Sequence, residues 1–455
     1  MTSDILIIGG GASGLMAAYG AADALVSRDS SASVTVLEKM PRPGRKIMIS
    51  GKGRCNFTNL KDWNDFSTHV RSKSNVLKSS FYNLTPEAVI SFFEEYGMKT
   101  VVERGDRAFP ASYHASDVVD TLVGACRSKG VKIVAGTEVS AVEALQGGFS
   151  VTATDGSLWK SKVLVIATGG LSYPGTGSTG DGYKWAAGTG HKIVPTFPSL
   201  TALVPKGYKI SGPDAQRHID RSEPLSESGE KFCGVSLKNV GVRLFVEGTL
   251  AGEEFGDLDF TDGGIEGPVG FLLSRKAVKS LLGGSRVALE IDLKSGVPEE
   301  ELADRVRSLW SSVCSDPRSR SIKEKEKVRI LLGKLMPWDM IPAFLETNPQ
   351  LLRTRKEKGG RTLVSFNVDA LPAALRGWRF EIAGYVGYER AVVTAGGVDT
   401  SDIVSKTLES RLVPGLYFCG ELLDIDADTG GYNLQIAFST GALAGRSAAM
   451  SILER

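Results

Sequence analysis

The sequence has few of the residues that build disulfide, metal or triad sites. Its 455 residues include five cysteines and four histidines. The cysteines are odd in number and none forms a Cys-x-x-Cys pair, which argues against a disulfide framework or a zinc site. The histidines (His69, His114, His191 and His218) are scattered without ligand spacing or a nearby serine or cysteine motif. The sequence therefore predicts no metal site and no triad catalysis.

The sequence also lacks a signal peptide and any excess of charge of one sign. No stretch approaches the length of a membrane span, and the N-terminus has no basic segment followed by an apolar one. Lys and Arg total 54 and Asp and Glu total 52, a net charge of +2. Such a balance argues against a nucleic-acid or membrane partner. We therefore expect a cytoplasmic protein of two or three domains, and the oligomeric state stays open.

Glycine, in contrast, is abundant and clustered, first of all near the N-terminus. The apolar run Asp4 to Ile8 predicts a buried parallel strand, which leads into Gly9-Gly10-Gly11-Ala12-Ser13-Gly14. A helix follows to Val26, and Glu38 closes the next strand. A Gly-x-Gly-x-x-Gly motif between a strand and a helix, with an acidic residue ending the second strand, indicates a dinucleotide site.

The residue types of this motif match the chemistry of a dinucleotide. Gly9 allows the tight turn, Gly11 lets a pyrophosphate approach the backbone, and Gly14 lets the helix pack closely on the strand. Ala12 and Ser13 belong to the motif just before the predicted helix, Leu15 to Val26, whose N-terminal N–H groups face the phosphates. Glu38 can accept hydrogen bonds from ribose hydroxyls and would repel a 2′-phosphate, which argues against NADP at this site.

Two further segments suggest cofactor contacts. The basic loop after Glu38 contains Lys39, Gly44, Arg45 and Lys46 beside the expected pyrophosphate. The segment 50–59, Ser-Gly-Lys-Gly-Arg-Cys-Asn-Phe-Thr-Asn, combines two glycines and two cations within ten positions. We interpret it as a loop that wraps a second part of the cofactor, and a solvated basic loop is the alternative.

This segment, placed soon after an N-terminal dinucleotide fingerprint, resembles the signature of the HI0933-like flavoproteins. The resemblance covers nearly the whole chain and implies FAD, not NAD, at the first site. It implies a Rossmann-like α/β fold of the two-dinucleotide-binding flavoprotein type, with an inserted β-rich and helical domain. From its motifs we list further residues expected to bind FAD: Ser50, Gly51, Gly53, Arg54, Cys55, Asn56, Val139, Thr168, Gly169, Gly420, Glu421, Asp424, Gly431, Tyr432 and Asn433.

The helix that begins near Leu434 resembles the C-terminal flavin motif of the family. Its N-terminus would stabilise negative charge on the reduced flavin ring. Tyr432 and Asn433 either contact substrate or act through their backbone. Cys55 has no partner cysteine beside it, so a redox role is disfavoured. The glycine-rich run 175–182 lacks a P-loop ending and is interpreted as a loop shaping the cofactor crevice or a domain hinge.

The domain boundaries follow from these motifs and from changes in composition. We predict an FAD-binding domain from residues 1–195 plus 386–455, a β-rich insertion from 196–297 and 362–385, and a helical subdomain from 298–361. Within them, Ser116 is expected to cap a helix from 117 to 128, residues 163–167 to form a strand of their own, and residues 196–207 to cross between domains. In the segment 260–268, Asp262 and Glu266 depart from the family pattern of His and Ser.

The predicted function is an FAD-dependent oxidoreductase that transfers hydride between the flavin and a small molecule. The resemblance implies either an amine oxidase of the aminoacetone oxidase type or an NAD(P)H-fed reductase of enone-like substrates. No second nucleotide-binding unit is recognised, so NAD(P)H would be a transient electron donor, and this tilts the interpretation toward an oxidase. A contrasting hypothesis is a flavin-containing RNA-binding or RNA-modifying protein, using the basic stretches 318–329 and 353–361. No protein residue is assigned to catalysis.

Overall fold

A computed structural model describes residues 1–208, 231–319, 321–356 and 362–454. The chain divides into two compact units, unit 1 from Met1–Ser199 and Ala391–Arg455 and unit 2 from Leu200–Arg390. The corresponding boundaries predicted from the sequence are residues 195 and 386, and the predicted helical subdomain 298–361 falls within unit 2. Part of the basic stretches, residue 320 and residues 357–361, lies outside the described residues.

The strands in the described ranges are β1 (Thr2–Ile8), β2 (Val34–Glu38), β3 (Thr58–Asn59), β4 (Thr100–Glu103), β5 (Arg107–Pro110), β6 (Lys132–Ala135), β7 (Val139–Leu145), β8 (Gly148–Ala153), β9 (Leu158–Ile166), β10 (Ile193–Ser199), β11 (Leu203–Pro205), β12 (Ser236–Val246), β13 (Thr249–Thr261), β14 (Gly264–Glu266), β15 (Val287–Asp292), β16 (Leu352–Lys356), β17 (Thr362–Phe366), β18 (Trp378–Tyr385), β19 (Val393–Val398) and β20 (Leu416–Phe418).

The α-helices in the same ranges are α1 (Ala12–Val26), α2 (Arg45–Ile49), α3 (Trp63–Thr68), α4 (Lys78–Asn83), α5 (Pro86–Glu95), α6 (Ala115–Ser128), α7 (Asp181–Gly188), α8 (Gly267–Leu282), α9 (Glu299–Ser315), α10 (Glu324–Gly333), α11 (Ile341–Thr347), α12 (Leu371–Arg376) and α13 (Tyr432–Leu453).

Unit 1 is built on a sheet whose centre is parallel. Strand β1 pairs in parallel with β2 and β9, β6 adds in parallel to β2, and β20 adds in parallel to the end of β9. β7 and β8 extend the other side in antiparallel pairing. The side chains from Ile5 to Ile8 are buried because both faces of a parallel sheet are covered. The glycine motif therefore begins at the carboxyl end of the central strand.

Helices α1 and α13 pack at very short distance through small residues. A Cβ atom placed on Gly441 would lie 2.3 Å from the Ser13 carbonyl oxygen, and one on Gly445 would lie 1.9 Å from that of Ala17. Contrary to the expectation that no stretch is long enough, α13 passes a membrane-span test by length and composition. Its most apolar window is 61% buried, as in the core helix of a folded domain.

Unit 2 contains a closed barrel in the order β11-β14-β13-β12-β15-β18, and β16 and β17 form a separate hairpin. An aromatic cluster of Phe232, Phe260, Trp378 and Phe380 is buried there, with ring centroids 4.7 to 6.0 Å apart. On α10, Lys325 and Lys327 alternate with Glu324 and Glu326.

Several local predictions were wrong. Ser116 does not cap α6, which begins at Ala115 with His114 in the cap position; Ser116 lies within the first turn. The strand predicted at 163–167 is continuous with the hairpin strand before it, so β9 runs from Leu158 to Ile166. The predicted crossing at 196–207, in contrast, contains the boundary between the two units, after Ser199, and also holds the end of β10 and all of β11. Helix α8 was not predicted at all.

Candidate active site

A deep cavity opens in unit 1 where the parallel strands end. Its walls include Ile8 and Gly9 after β1, Glu38 at the end of β2, and Thr168 after β9. It encloses about 1360 Å³ of empty space, including the solvent at its mouth. The carboxyl edge of a parallel sheet is also where Rossmann-like folds bind their cofactors.

The structure brings together fifteen of the residues predicted to bind the cofactor. Those that line the cavity are Gly9, Gly11, Ala12, Ser13, Glu38, Lys39, Gly44, Arg45, Lys46, Ser50, Val139, Thr168, Gly169, Glu421 and Asn433. Ten others do not line it: Gly14, Gly51, Gly53, Arg54, Cys55, Asn56, Gly420, Asp424, Gly431 and Tyr432. Their involvement in cofactor binding stays a prediction.

The glycine turn has the geometry that a pyrophosphate requires. Gly9 has a φ of 105°, and a Cβ atom there would lie 2.4 Å from the Ala167 carbonyl oxygen. A Cβ atom on Gly14 would lie 1.8 Å from the Gly9 carbonyl oxygen, so only glycine permits this turn. A Cβ atom on Gly11, in contrast, would meet nothing within 4 Å. The space beside Gly11 is therefore open for a ligand to approach the backbone.

Glu38 braces the glycine turn from the end of β2. Its carboxylate accepts hydrogen bonds from the Gly10 and Met40 backbone N–H groups, each at 2.7 Å. Burial raises the pKa of the Glu38 carboxyl, and these two backbone hydrogen bonds oppose the shift. Because the side chain also lines the cavity, the same carboxylate can order the turn and receive a ligand hydroxyl.

Two polar features of the wall fit a phosphate-containing, hydroxyl-rich cofactor. The N-terminus of α1 has Gly11 in the cap position and no side-chain cap, so its first N–H groups are available to an anion. The Thr168 hydroxyl oxygen is buried and has no hydrogen-bond partner among the described residues. A buried polar atom of this kind is normally satisfied by a partner or ligand. The residues present therefore fit FAD.

The two lysines of the basic loop are paired at the cavity wall. Lys39 contacts Asp181 at 3.0 Å and the Thr179 hydroxyl. Lys46 donates to Glu421 Oε2 at 2.6 Å and to the Ser172 hydroxyl at 2.5 Å. Both predicted cations thus lie at the cavity, and their charge is balanced by carboxylates from distant parts of the chain.

The family membership follows from the whole sequence. Residues 3–447 match the family model described as "HI0933-like protein Rossmann domain". The chain belongs to the HI0933-like family. This confirms the resemblance drawn from the 50–59 segment and the predicted fold class.

Two relatives match the HI0933-like chain over almost their full lengths. A 3-dehydro-bile acid delta(4,6)-reductase of Clostridium scindens is 33% identical over 447 residues, which cover 97% of this chain and 98% of the relative. A ribosomal RNA dihydrouridine synthase of Haemophilus influenzae is 30% identical over 445 residues, 96% of each. The HI0933-like chain is an FAD-dependent oxidoreductase, as predicted.

A solved structure has the same fold at low sequence identity. The 3-ketosteroid delta1-dehydrogenase from Sterolibacterium denitrificans in complex with 1,4-androstadiene-3,17-dione superposes with a TM-score of 0.50. Its sequence is 14% identical, and the match covers 99% of the HI0933-like chain and 100% of that chain. The likeness shows a shared fold.

The HI0933-like signature loop lies largely away from the cavity. Gly51 and Lys52 both have a φ of 56°, which places two successive residues in the left-handed region. Arg54 lies over the Phe109 ring at 5.1 Å from its centroid and is 4.0 Å from Glu103. Of the residues predicted here, Ser50 lines the cavity. Gly51, Lys52 and Arg54 are exposed, and the Arg54 side chain lies against β4 and β5.

The C-terminal motif brings the start of α13 to the cavity. Asn433, Leu434, Ile436 and Ala437 line the wall. Tyr432, which was predicted beside the flavin, points elsewhere: its ring is buried and packs on Phe66 and His69. Gly420 and Gly431 both have positive φ and close contacts with Ser13 and Thr58. Gly420 and Gly431 therefore support the cavity wall without lining it.

Other cavity residues were not on the predicted list. The glycine-rich run after β9 contributes Thr176, Gly177, Ser178 and Thr179, in agreement with its interpretation as a loop shaping the crevice. Further residues were missed: Ile8, Leu37, Ile47, Thr137, Ala167, Asp181, Trp185, Val392, Val393, Ile425, Leu434, Ile436 and Ala437. Many are apolar, and their sequence pattern does not separate a cavity wall from ordinary core.

Cys55 is expected to be chemically inert. It is fully buried, and burial raises the pKa of its thiol to about 12; burial has the same effect on Cys126 and Cys419. Because the thiolate is the reactive form, native protein at neutral pH should react with iodoacetamide only at the exposed Cys233 and Cys314. Mass spectrometry before and after unfolding checks this. Rapid alkylation of Cys55 in the native protein would restore a redox role.

Proposed function

We propose that this chain reduces a carbon–carbon double bond conjugated to a carbonyl group, with FAD reduced by NAD(P)H as the hydride source. The observation that carries the proposal is the full-length similarity to two proteins whose names describe such reductions. A delta(4,6)-reductase acts on a 3-dehydro-bile acid and a dihydrouridine synthase acts on uridine in RNA. Both names imply addition of hydrogen across a double bond activated by a carbonyl group.

The wall of the cavity is compatible with chemistry supplied by the cofactor. Its lining contains no cysteine, histidine or tyrosine among the described residues. Bound FAD would accept hydride from NAD(P)H and pass it to one carbon of the double bond, and a proton would complete the neighbouring carbon. The second Gly-x-Gly-x-x-Gly pattern, Gly175 to Gly180, does not directly follow a predicted strand, so no second nucleotide-binding βαβ unit is recognised in the sequence. NAD(P)H would therefore bind transiently at the same flavin.

A small molecule is favoured over RNA as the substrate. The bile acid reductase is the more similar of the two relatives, at 33% against 30%. RNA has one supporting feature, since residues 318–361 contain twelve Lys and Arg and five Asp and Glu. Within the described part of this segment, however, Arg318 pairs with Asp316 at 2.9 Å, and the lysines of α10 alternate with glutamates.

An amine oxidase is the second candidate, because no separate nicotinamide-binding unit is recognised in the sequence. In that reaction the substrate amine would give hydride to FAD, and oxygen would reoxidise the flavin. The experiment below separates it from the reductase.

The test is anaerobic reduction of the FAD-loaded protein. We expect NADH or NADPH to bleach the flavin band, and a 3-keto-4,6-diene steroid to restore it with formation of a product two hydrogens heavier. No bleaching by either nucleotide, together with bleaching by aminoacetone and peroxide formation once oxygen is admitted, would replace the reductase with the oxidase. Restoration of the band only by ribosomal RNA, through salt-sensitive binding, would replace the small-molecule substrate.

A further inference from the structure

Asp428, just before α13, is a buried carboxylate that pairs with two side chains reaching the surface, Arg71 and His69. The Arg71 guanidinium donates to both of its oxygens, from Nε to Oδ1 at 2.5 Å and from the second nitrogen to Oδ2. His69 Nδ1 is 3.0 Å from the same Oδ2. Asp428 is 3% exposed, and burying a carboxylate costs free energy unless it is paired and hydrogen-bonded. The contacts with Arg71 and His69 therefore stabilise the buried Asp428 carboxylate.

The backbone joins the same two segments. Val70 and Ala427 form an antiparallel bridge. The Asp428 N–H donates to the His69 carbonyl at 3.0 Å, and the Arg71 N–H donates to the Asp426 carbonyl at 2.8 Å. Residues 426–428 are thus fixed to residues 69–71 through both backbone and side chains.

This fixed segment is connected to the first turn of α13 by two routes. The His69 ring stacks on that of Tyr432, the first residue of the helix, at 4.3 Å between centroids. The Asn433 amide donates to the Asp428 carbonyl at 3.0 Å and accepts from the Ala427 N–H at 3.0 Å. Asp428 does not line the cavity, but Asn433 does.

The first turn of α13 lies at the cavity, so the positive end of the helix dipole acts on a ligand bound there. Gly431 holds the cap position without a side-chain cap, so the first N–H groups and the positive end of the helix are unshielded there. This effect falls off within one turn and therefore depends on where the turn is held.

We propose that Asp428 is a positioning residue for the cofactor. Through Arg71 and His69 it holds the first turn of α13 at the cavity wall, where the helix end favours bound FAD and its negatively charged reduced form. The proposal rests on FAD binding in this cavity and is independent of the substrate.

The test is a double variant, Arg71→Gln with Asp428→Asn, which removes the ion pair without changing the net charge. We expect FAD affinity, titrated into the apoprotein, to fall about tenfold. When the protein is equilibrated with a reference dye, the ratio of reduced to oxidised bound flavin should be about tenfold lower in the double variant than in the wild type. For a two-electron couple this equals a potential about 30 mV more negative.

Two further variants separate position from charge. Asp428→Asn alone leaves the Arg71 cation unpaired, and an unpaired cation favours the negatively charged reduced flavin. If charge alone acted, this variant would raise the flavin reduction potential. The double variant would then leave that potential unchanged. Asp65→Asn is the matched control, because Asp65 lies 3.6 Å from the other His69 nitrogen. It has no contact with residues 426–428 among those described, so wild-type values are expected.

An unchanged FAD affinity and potential in the folded double variant would overturn the proposal. A lower melting temperature with an unchanged potential would likewise reduce Asp428 to a structural role. If the double variant does not fold, His69→Phe keeps a ring against Tyr432 and removes the contact with Asp428. It should shift the potential in the negative direction by a smaller factor, and a wild-type potential there would also count against the proposal.

Discussion

Replacing Glu38 with alanine is expected to lower FAD affinity by about 100-fold, equivalent to about 2.8 kcal/mol. The change removes the acceptor of two backbone N–H groups, those of Gly10 and Met40, which lie beside the glycine turn. Each buried donor left without a partner costs about 1–3 kcal/mol. The proposed hydrogen bonds from the cofactor ribose to the same carboxylate would be lost as well. FAD titration of the apoprotein and flavin absorbance after gel filtration measure the effect.

The control is Glu143→Ala on β7, which removes an exposed carboxylate from the same unit. It should bind FAD as the wild type does. Glu38→Gln keeps the shape of the side chain and removes its charge. The amide NH2 group of glutamine is a donor, so it cannot accept a hydrogen bond from one of the two backbone N–H groups. It should therefore also weaken binding. Full FAD retention by a folded Glu38→Ala protein would show that the ribose does not lie at the end of β2.

The glycine turn could be read from the sequence because all of its signals are local. The buried run to Ile8, the spacing of Gly9, Gly11 and Gly14, and an acidic residue after the next apolar strand lie within forty positions. Because a Cβ atom is excluded at Gly9 and Gly14, the turn is recorded in the residue types themselves. The same holds for the fold class, because alternating strands and helices are local patterns too.

The rest of the site depends on contacts between distant residues. Lys46 was predicted to face the cofactor, and nothing near it in sequence indicates Glu421, 375 positions away, as its partner. Arg54 lies over Phe109 and not at the cavity, because the β3–β5 pairing brings those segments together. The stack of His69 on Tyr432 is likewise invisible in either local sequence.

Helix α8 was missed for a different reason. It begins with Gly267-Pro268 and contains Gly270, and these residues weaken any helix signal based on propensity. Its buried positions Val269, Leu273 and Ala277 nevertheless recur at intervals of four, which is the spacing of a helix face. Proline at the first turn also favours a helix start. The sequence therefore contains the helical periodicity of buried residues, but the glycine and proline residues at its start favour a turn.

Replacing Gly445 with alanine is expected to destabilise unit 1 by about 3 kcal/mol, although alanine is the better helix former. A Cβ atom at this position would lie 1.9 Å from the Ala17 carbonyl oxygen, and a backbone atom cannot rotate away. Helices α1 and α13 would have to separate. Because both helices begin at the cavity wall, their separation should weaken FAD binding along with stability.

Gly124→Ala in α6 is the matched control for this prediction. A Cβ atom there meets nothing within 4 Å, so the gain in helix propensity of about 0.5–1 kcal/mol should appear undiminished. Thermal unfolding of the two variants should move the melting temperature in opposite directions. Equal stabilisation by both would mean that α1 and α13 are not in contact through Gly445. Because both helices begin at the cavity wall, the packing that holds them together also holds residues that line the cavity, and the helix contact and the cofactor contact depend on the same glycine.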